Sequence, residues 1–564
     1  MRAAWSLVCI AVVGGACSSS DSVTGLVLDD GNPVEGAVVR IQATPQSTVT
    51  DSDGRFTIDD VDEGVRLSAW ADGYFIAGGN EHLPGDEINI DLSPIPEGDH
   101  PDYEWLSALE GQGAGEGQPC VECHRNPGTQ PFSLPVDQWL EDAHSQSAIN
   151  PRFLTMYAGT DLSGNESPPT RYSTNRDYGR VPLRPDPAVP YFGPGYRLDF
   201  PNSAGNCAAC HVPAAAVNDP YGVDPTAVQG VAREGVTCDV CHKVWDVAFD
   251  RAAGLPDSGR PGVLSFEFRR PPEGHQFFAG PYDDVAPGED TFSPLQLESA
   301  FCAPCHHGVF WDVVVYDSYG EWLASAYSDP DTGQTCQDCH MPATGATAFA
   351  LTEKGGLTRD PATIPGHRMP GAADLELLQN AVTLEVEASI EMQEVLVEVT
   401  ITNDRTGHDV PTDSPLRHLI LLVEVTDDAG NQLGQTVGPT VPPWVGIGDP
   451  ETGHYGGLPG TAYAKVLEEL WTEVSPTGAY WNPTRVVSDN RIAALEADTT
   501  SYRFTASTPG DVTVEVTLLF RRAFIELMEQ KGWDVTDIVM EQVEVVARLP
   551  VGGALGGPTS TGGN

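Results

Sequence analysis

The sequence predicts a multidomain protein: a β-sandwich, then a domain of short helices with little regular secondary structure, then a second β-sandwich. Three observations carry that prediction. The 564 residues amount to several domain lengths, each able to bury its own core. Near both ends, apolar and polar residues alternate with the period of two of a half-buried strand, in "VTGLVLDDGNPVEGAVVRI" and again from Val382 to Ile401. Between about residues 100 and 370 the alternation gives way to a stretch dense in Gly and Pro.

The first element, residues 1–17, reads as a secretion signal: one arginine, an apolar run from Ala3 to Val13, and small residues before Cys17. The run is too short for a membrane span. Gly14-Gly15-Ala16-Cys17 resembles a bacterial lipobox, which implies lipidation of Cys17, with ordinary cleavage near Ala16 as the alternative. The expected location is outside the cytoplasm: periplasm, outer-membrane lipoprotein or cell surface, with the membrane touched only through a lipid on Cys17.

Residues 21–95 form the first β-domain. A Gly-Asn-Pro turn separates its first two apolar runs, and Asp53-Gly54 in "TDSDGRFTI" signals a hairpin. Pro33, Gly36-Ala37, Asp53-Gly54, Phe56 and Gly73-Tyr74 give it a pattern that resembles the carboxypeptidase regulatory-like β-sandwich. It shows no catalytic set and reads as a spacer or docking module. The Pro- and acid-rich "SPIPEGDHPDYEW" links it to the next domain.

Residues 100–370 hold ten of the 12 cysteines, in five pairs of identical spacing: Cys120 and Cys123, Cys207 and Cys210, Cys238 and Cys241, Cys302 and Cys305, Cys336 and Cys339. A disulfide framework, zinc or thiol redox would each explain paired cysteines in an exported chain. The residue after every pair is histidine: His124, His211, His242, His306 and His340. With only 14 histidines in the chain, that recurrence is not chance. Two thiols three residues apart reach the two vinyl groups of one haem, and the next imidazole then lies under the iron as proximal ligand. Five haem c groups are therefore expected, packed in a domain whose apolar interior is largely porphyrin. Short helices are expected at "PVDQWLEDAHSQ" and "VVVYDSYGEWLASAY".

These motifs, with the phrases "PGYRLDFPNSAGNCAACH", "EGVTCDVCHK", "YDSYGEW" and "TCQDCHMP", make this region similar to the multihaem (pentahaem) cytochromes c of the bacterial cell envelope. The resemblance implies electron transfer along closely packed haems with histidine on both faces of each iron. Five distal ligands are proposed on that basis: His144 on a short helix, His275 in a loop between the third and fourth motifs, His307 directly after His306, His367 just past the last motif, and His408 in "NDRTGHDVPTD". His307 cannot reach the iron of its own motif and is assigned to an adjacent haem. His418 reads as a strand residue; His82, His100 and His454 read as surface residues; Met156, Met341 and Met369 are weak axial candidates.

Residues 376–550 resume the strand pattern in "HLILLVEVT", "DVTVEVTLLF" and "MEQVEVVARL", with one helical insert, "AFIELMEQKGW". The tail 551–564 is rich in Gly and expected to be disordered.

The acidic residues number 81 against 30 basic, a formal charge of -51, which makes nucleic acid and anionic membrane surfaces poor partners. All five motifs end in His and histidines outnumber the ligand positions, so an electron carrier is expected. Its partners would be redox proteins, in particular other cytochromes, and a homo-oligomer or filament is compatible with the flanking sandwiches. The alternatives are a multihaem oxidoreductase with one open haem acting on a small nitrogen or sulfur compound, and a structural, polymerising cell-surface cytochrome.

Overall fold

The computed structural model describes residues 21–111, 118–285, 288–505, 510–534 and 536–549; the signal with Cys17 and the tail 551–564 lie outside the described residues. The chain divides into two compact units, one of residues up to His100 together with Arg269–Pro294, the other of Pro101–Phe268 with Leu295 onward. The continuous stretch 100–370 expected from the sequence is thus interrupted.

In the first unit, Val23–Asp29 alternates buried and half-buried residues and centres a sheet. It pairs antiparallel with Asn32–Pro33 and Arg55–Ile58 and parallel with Glu87–Asp91. A Cβ on Gly25 would sit 2.1 Å from the Ile88 carbonyl oxygen, so only glycine admits the parallel neighbour so closely. The second sheet runs Ser47–Val49, Val38–Ile41, Val65–Trp70, Ala77–His82. Val23, Val27, Val39, Phe56, Ile58 and Leu67 fill the core. The Asp51–Gly54 turn is not a hairpin, because the strands on its two sides belong to different sheets. Asp51 caps it, accepting from the amides of Asp53 and Arg55.

The excursion 269–294 is stitched to this unit by contacts that no local pattern announces. Arg40 makes a bidentate pair with Asp283 at 2.6 and 2.9 Å, Trp70 Nε1 donates to Thr291 Oγ1 at 3.0 Å, and the Trp70 and Phe292 rings meet edge to face at 5.0 Å. Arg270, buried, pairs with Asp99.

In the second unit, the C-terminal sandwich packs two four-stranded sheets face to face. One runs Thr383–Glu391, Glu394–Thr402, Ala497–Thr505, Gln435–Val437; the other Gly460–Tyr463, His418–Asp427, Gly510–Arg521, Ile538–Leu549. Val395, Val397, Val399 and Ile401 from one sheet meet Leu419, Leu421, Val514 and Val516 from the other. The expected helix forms at Ile525–Lys531 and docks onto the helix Pro151–Ala158. There Lys531, fully buried, donates to the carbonyls of Thr155, Thr160 and Pro194 at 3.0, 2.9 and 2.5 Å. Met156 shares a core with Phe524, Leu527, Met528 and Trp533.

Between the motifs, helices are short. The stretch expected as one helix near His144 is two, Pro135–Leu140 and Ala143–Gln146, broken where Asp142 turns extended to cap the second. "VVVYDSYGEWLASAY" is likewise split. Its β-branched valines form the strand Val313–Tyr316, and Asp317 then caps the helix Ser318–Ala324 by accepting from the Gly320 amide. Among the described residues no helix is long and apolar enough to cross a membrane.

Candidate functional site

Each CxxCH motif lies on about one turn of α-helix: Val121–His124, Ala208–His211, Cys238–Cys241, Ala303–His306 and Cys336–His340. The turn explains the spacing, because positions i, i+3 and i+4 share a helical face, so both thiols and the imidazole point the same way. Thr237 and Thr335 cap the third and fifth turns. All ten cysteines are free of disulfides.

The motifs adjoin one another. The Cys120 thiol interacts with that of Cys238, Cys210 with Cys305, and Cys302 with Cys336, so the first motif adjoins the third, the second the fourth and the fourth the fifth. Burial pushes the Cys207 and Cys241 thiols up to about 12.

Nine of the ten expected attachment cysteines are half-buried and one is exposed. Over the first turn lies the segment Phe349–Leu351, whose Leu351 amide donates to the Cys123 carbonyl at 2.8 Å. The Cys123 amide closes the turn on the Cys120 carbonyl at 3.2 Å, so the residue keeps its place beside Cys120 and His124. Cys339 is exposed, on the outer end of the fifth turn.

The histidines show one recurring arrangement, an Nδ1 engaged by an oxygen so that Nε2 is left as the donor. His124 Nδ1 lies 2.8 Å from the Phe349 carbonyl and His340 Nδ1 2.7 Å from that of Pro370. Among the proposed distal set, His144 Nδ1 meets Asp142 Oδ2 at 2.8 Å, His307 Nδ1 meets Asp317 Oδ1, and His408 Nδ1 meets its neighbour's carbonyl, that of Asp409, at 3.0 Å. An oxygen at Nδ1 fixes the tautomer and raises the basicity of the ligating nitrogen. Burial lowers the pKa of His124, His340 and His408, and takes His211 and His367 to about 4, which holds these imidazoles neutral, the form that binds metal. His306 differs: burial pulls its pKa down, but Asp413, 3.4 Å from Nδ1, outweighs it and the net shift is upward.

Two pairs join a motif histidine to a proposed distal one. The ring centroids of His306 and His144 are 6.2 Å apart, and those of His340 and His408 6.4 Å. Metal–nitrogen bonds of about 2 Å, plus the half-width of each ring, place two imidazoles on opposite faces of one metal with centroids roughly 6 Å apart. His367, half-buried, interacts electrostatically with both His242 and His124, and its Nδ1 is inaccessible and without a hydrogen bond. His307 is nine-tenths buried. His275, by contrast, is exposed on the 269–294 excursion and belongs to the other compact unit. His418 heads a strand, fully buried and stacked on Phe524; His454 Nε2 lies 3.3 Å from Glu529.

Haem is the group these motifs imply, and the donor set fits it. Among the described residues no three His, Cys, Asp or Glu side chains converge as a cage for a bare ion. Two motif histidines each have a second imidazole at a centroid distance compatible with a shared metal whose other ligands a macrocycle would supply. The ten thiols would hold such groups, and the histidines would bind above and below.

The sequence reading did not identify the oxygens behind the histidines. Asp142 had a signal in Asp-x-His, and Asp317 lies in the "YDSYGEW" phrase itself; Asp413 and the Phe349 and Pro370 carbonyls had none. Glu321 of that same phrase binds Arg491, buried among Glu321, Asp409 and Asp489 at 2.5, 3.0 and 2.8 Å, and so pins the loop that carries His408.

Comparison with known proteins gives likenesses at two levels, a domain and an overall fold. Residues 22–78 match the carboxypeptidase regulatory-like domain, so the N-terminal β-domain is of that type. The chain as a whole is similar in fold to a penta-heme cytochrome c552 from Thermochromatium tepidum, with a TM-score of 0.50 and 17% identity, covering 76% of this chain and 97% of that one. A PapD-like domain of human CEP192 also aligns, at TM-score 0.13 and 8% identity over 30% of this chain and 86% of that domain, too low to carry an argument. No curated protein matches.

Proposed function

We propose that this protein is an exported multihaem c-type cytochrome that carries electrons along five covalently held haems, most of them with two axial histidines. The observation that carries the reading is the spacing of the His144/His306 and His340/His408 pairs, each a motif histidine opposed to a second imidazole. When bound, the haems would supply one-electron transfer between neighbouring irons. The chain's own part would be to hold them: thioethers from each cysteine pair, the motif histidine on one face, and His144, His307, His367 and His408 on the other. Engaged Nδ1 atoms keep His124, His340, His144, His307 and His408 in the ligating tautomer. The contacts between cysteines of different motifs support close packing of the sites.

On this reading the partners are redox proteins, other cytochromes among them, and the location is the periplasm, outer membrane or cell surface, with Cys17 the lipid-bearing residue. A mass that exceeds the polypeptide by five haems, with five low-spin ferric signals in EPR, is the expected result. Thiols that alkylate freely in the mature protein, the half-buried Cys123 and exposed Cys339 first among them, would overturn it. One observation favours the second reading, an oxidoreductase with an open haem: His275 is exposed on the excursion. A single high-spin signal that shifts on adding nitrite or cyanide would decide for that reading.

A further inference from the structure

The two opposed histidine pairs differ in what stands behind them. His144 is backed by Asp142, whose side chain is 1% exposed and whose Oδ1 is buried without a hydrogen bond; His306 is backed by Asp413, one-quarter exposed. Both histidines of this pair therefore face a carboxylate. His340 and His408 have peptide carbonyls at Nδ1, those of Pro370 and Asp409, with no carboxylate hydrogen-bonded there; Glu321 and Asp413 act on His408 only electrostatically, and the Asp409 carboxylate is taken by Arg491. His307, backed by Asp317, stands between the two cases with one carboxylate.

A carboxylate behind an imidazole draws the Nδ1 proton toward itself and makes Nε2 a stronger donor, which favours Fe(III) over Fe(II). A buried negative charge near the iron acts in the same direction. Arg417, 3.7 Å from Asp413, opposes part of this effect.

We propose that Asp142 and Asp413 are positioning residues that make the haem held by Cys302, Cys305 and His306 lower in potential than the one held by Cys336, Cys339 and His340. The proposal rests on the two-histidine reading above and goes beyond it by ranking two sites. Of these two sites, the one at the fifth motif would accordingly be reduced first.

The test is a spectroelectrochemical titration of the intact holoprotein and of D142N, D413N and R417Q. The expected result is that D142N and D413N each raise the midpoint of the same single component, that the double variant raises it further, and that R417Q lowers it, with five low-spin signals kept throughout. Asp413 also acts electrostatically on His408, so a smaller rise in a second component is expected for D413N but not for D142N. Unmoved midpoints, or different components moving in D142N and D413N, overturn the proposal. H144A separates this from failure of the underlying reading. A component that turns high-spin keeps the reading whatever the midpoints do, and one that stays low-spin removes the His144/His306 pairing. If the asparagine variants do not assemble, the near-infrared magnetic circular dichroism of the native protein decides. A charge-transfer band displaced to higher energy than the rest supports the proposal, and five coincident bands overturn it.

Discussion

The two β-sandwiches share an architecture and little else. The N-terminal one closes on its own core and spends its ionic and aromatic contacts on the 269–294 excursion: Arg40 on Asp283, Trp70 on Thr291 and Phe292. The C-terminal one is built into its unit's site. Its loops supply His408 and Asp413, Arg491 fixes the first of these, and Lys531 and Phe524 are shared with the helix Pro151–Ala158. A sandwich's contribution is thus set by the loops at its ends, which its strand pattern does not describe.

Substitutions can sharpen or break that contrast. The largest effect is expected for Arg491→Ala, which strands three carboxylates and frees the His408 loop. A loss of about 3–5 kcal/mol in denaturant stability is expected, together with one low-spin haem becoming high-spin. Next is Lys531→Met, which leaves three buried carbonyls without their donor and should cost about 3 kcal/mol, with the haem spectrum unchanged. His408→Ala should convert one low-spin signal to high-spin with little loss of stability; an unaltered EPR spectrum would detach the C-terminal sandwich from the site. Arg40→Ala, on the N-terminal side, removes a partly buried ion pair and should cost about 1 kcal/mol in thermal unfolding, with all EPR signals intact. A spectral change there would erase the contrast between the two sandwiches.

What was legible in the sequence is what repeats locally. Alternation in Val395–Ile401 gives a strand because every second side chain meets the same core, and CxxCH gives a helical turn because three chemistry-bearing positions must share a face. The excursion was illegible, since Arg40 and Asp283 are 243 residues apart and neither has a local pattern that names the other. The single helix expected around His144 failed for a related reason. Asp142 favours capping over continuing a helix, and its carboxylate is drawn to the imidazole two residues on. Identical spacing also hid a difference in surroundings, Cys123 half-buried with its carbonyl on the Leu351 amide and Cys339 exposed, because a repeat fixes a turn and not what packs on it. The candidate histidines were legible as residue types, while the nearness of His144 to His306 and of His408 to His340 came only from tertiary structure.

The three thiol contacts between motifs bear on how the chain is made. Sulfurs of Cys120 and Cys238, Cys210 and Cys305, and Cys302 and Cys336 lie within reach of each other in the folded chain, so an oxidant acting before the thiols are capped would staple neighbouring motifs together. Maturation therefore has a required sequence of events. If the five pairs take up haem as proposed, a reductant would have to hold each pair open until its thioethers form, since a chain that folded first could crosslink between motifs.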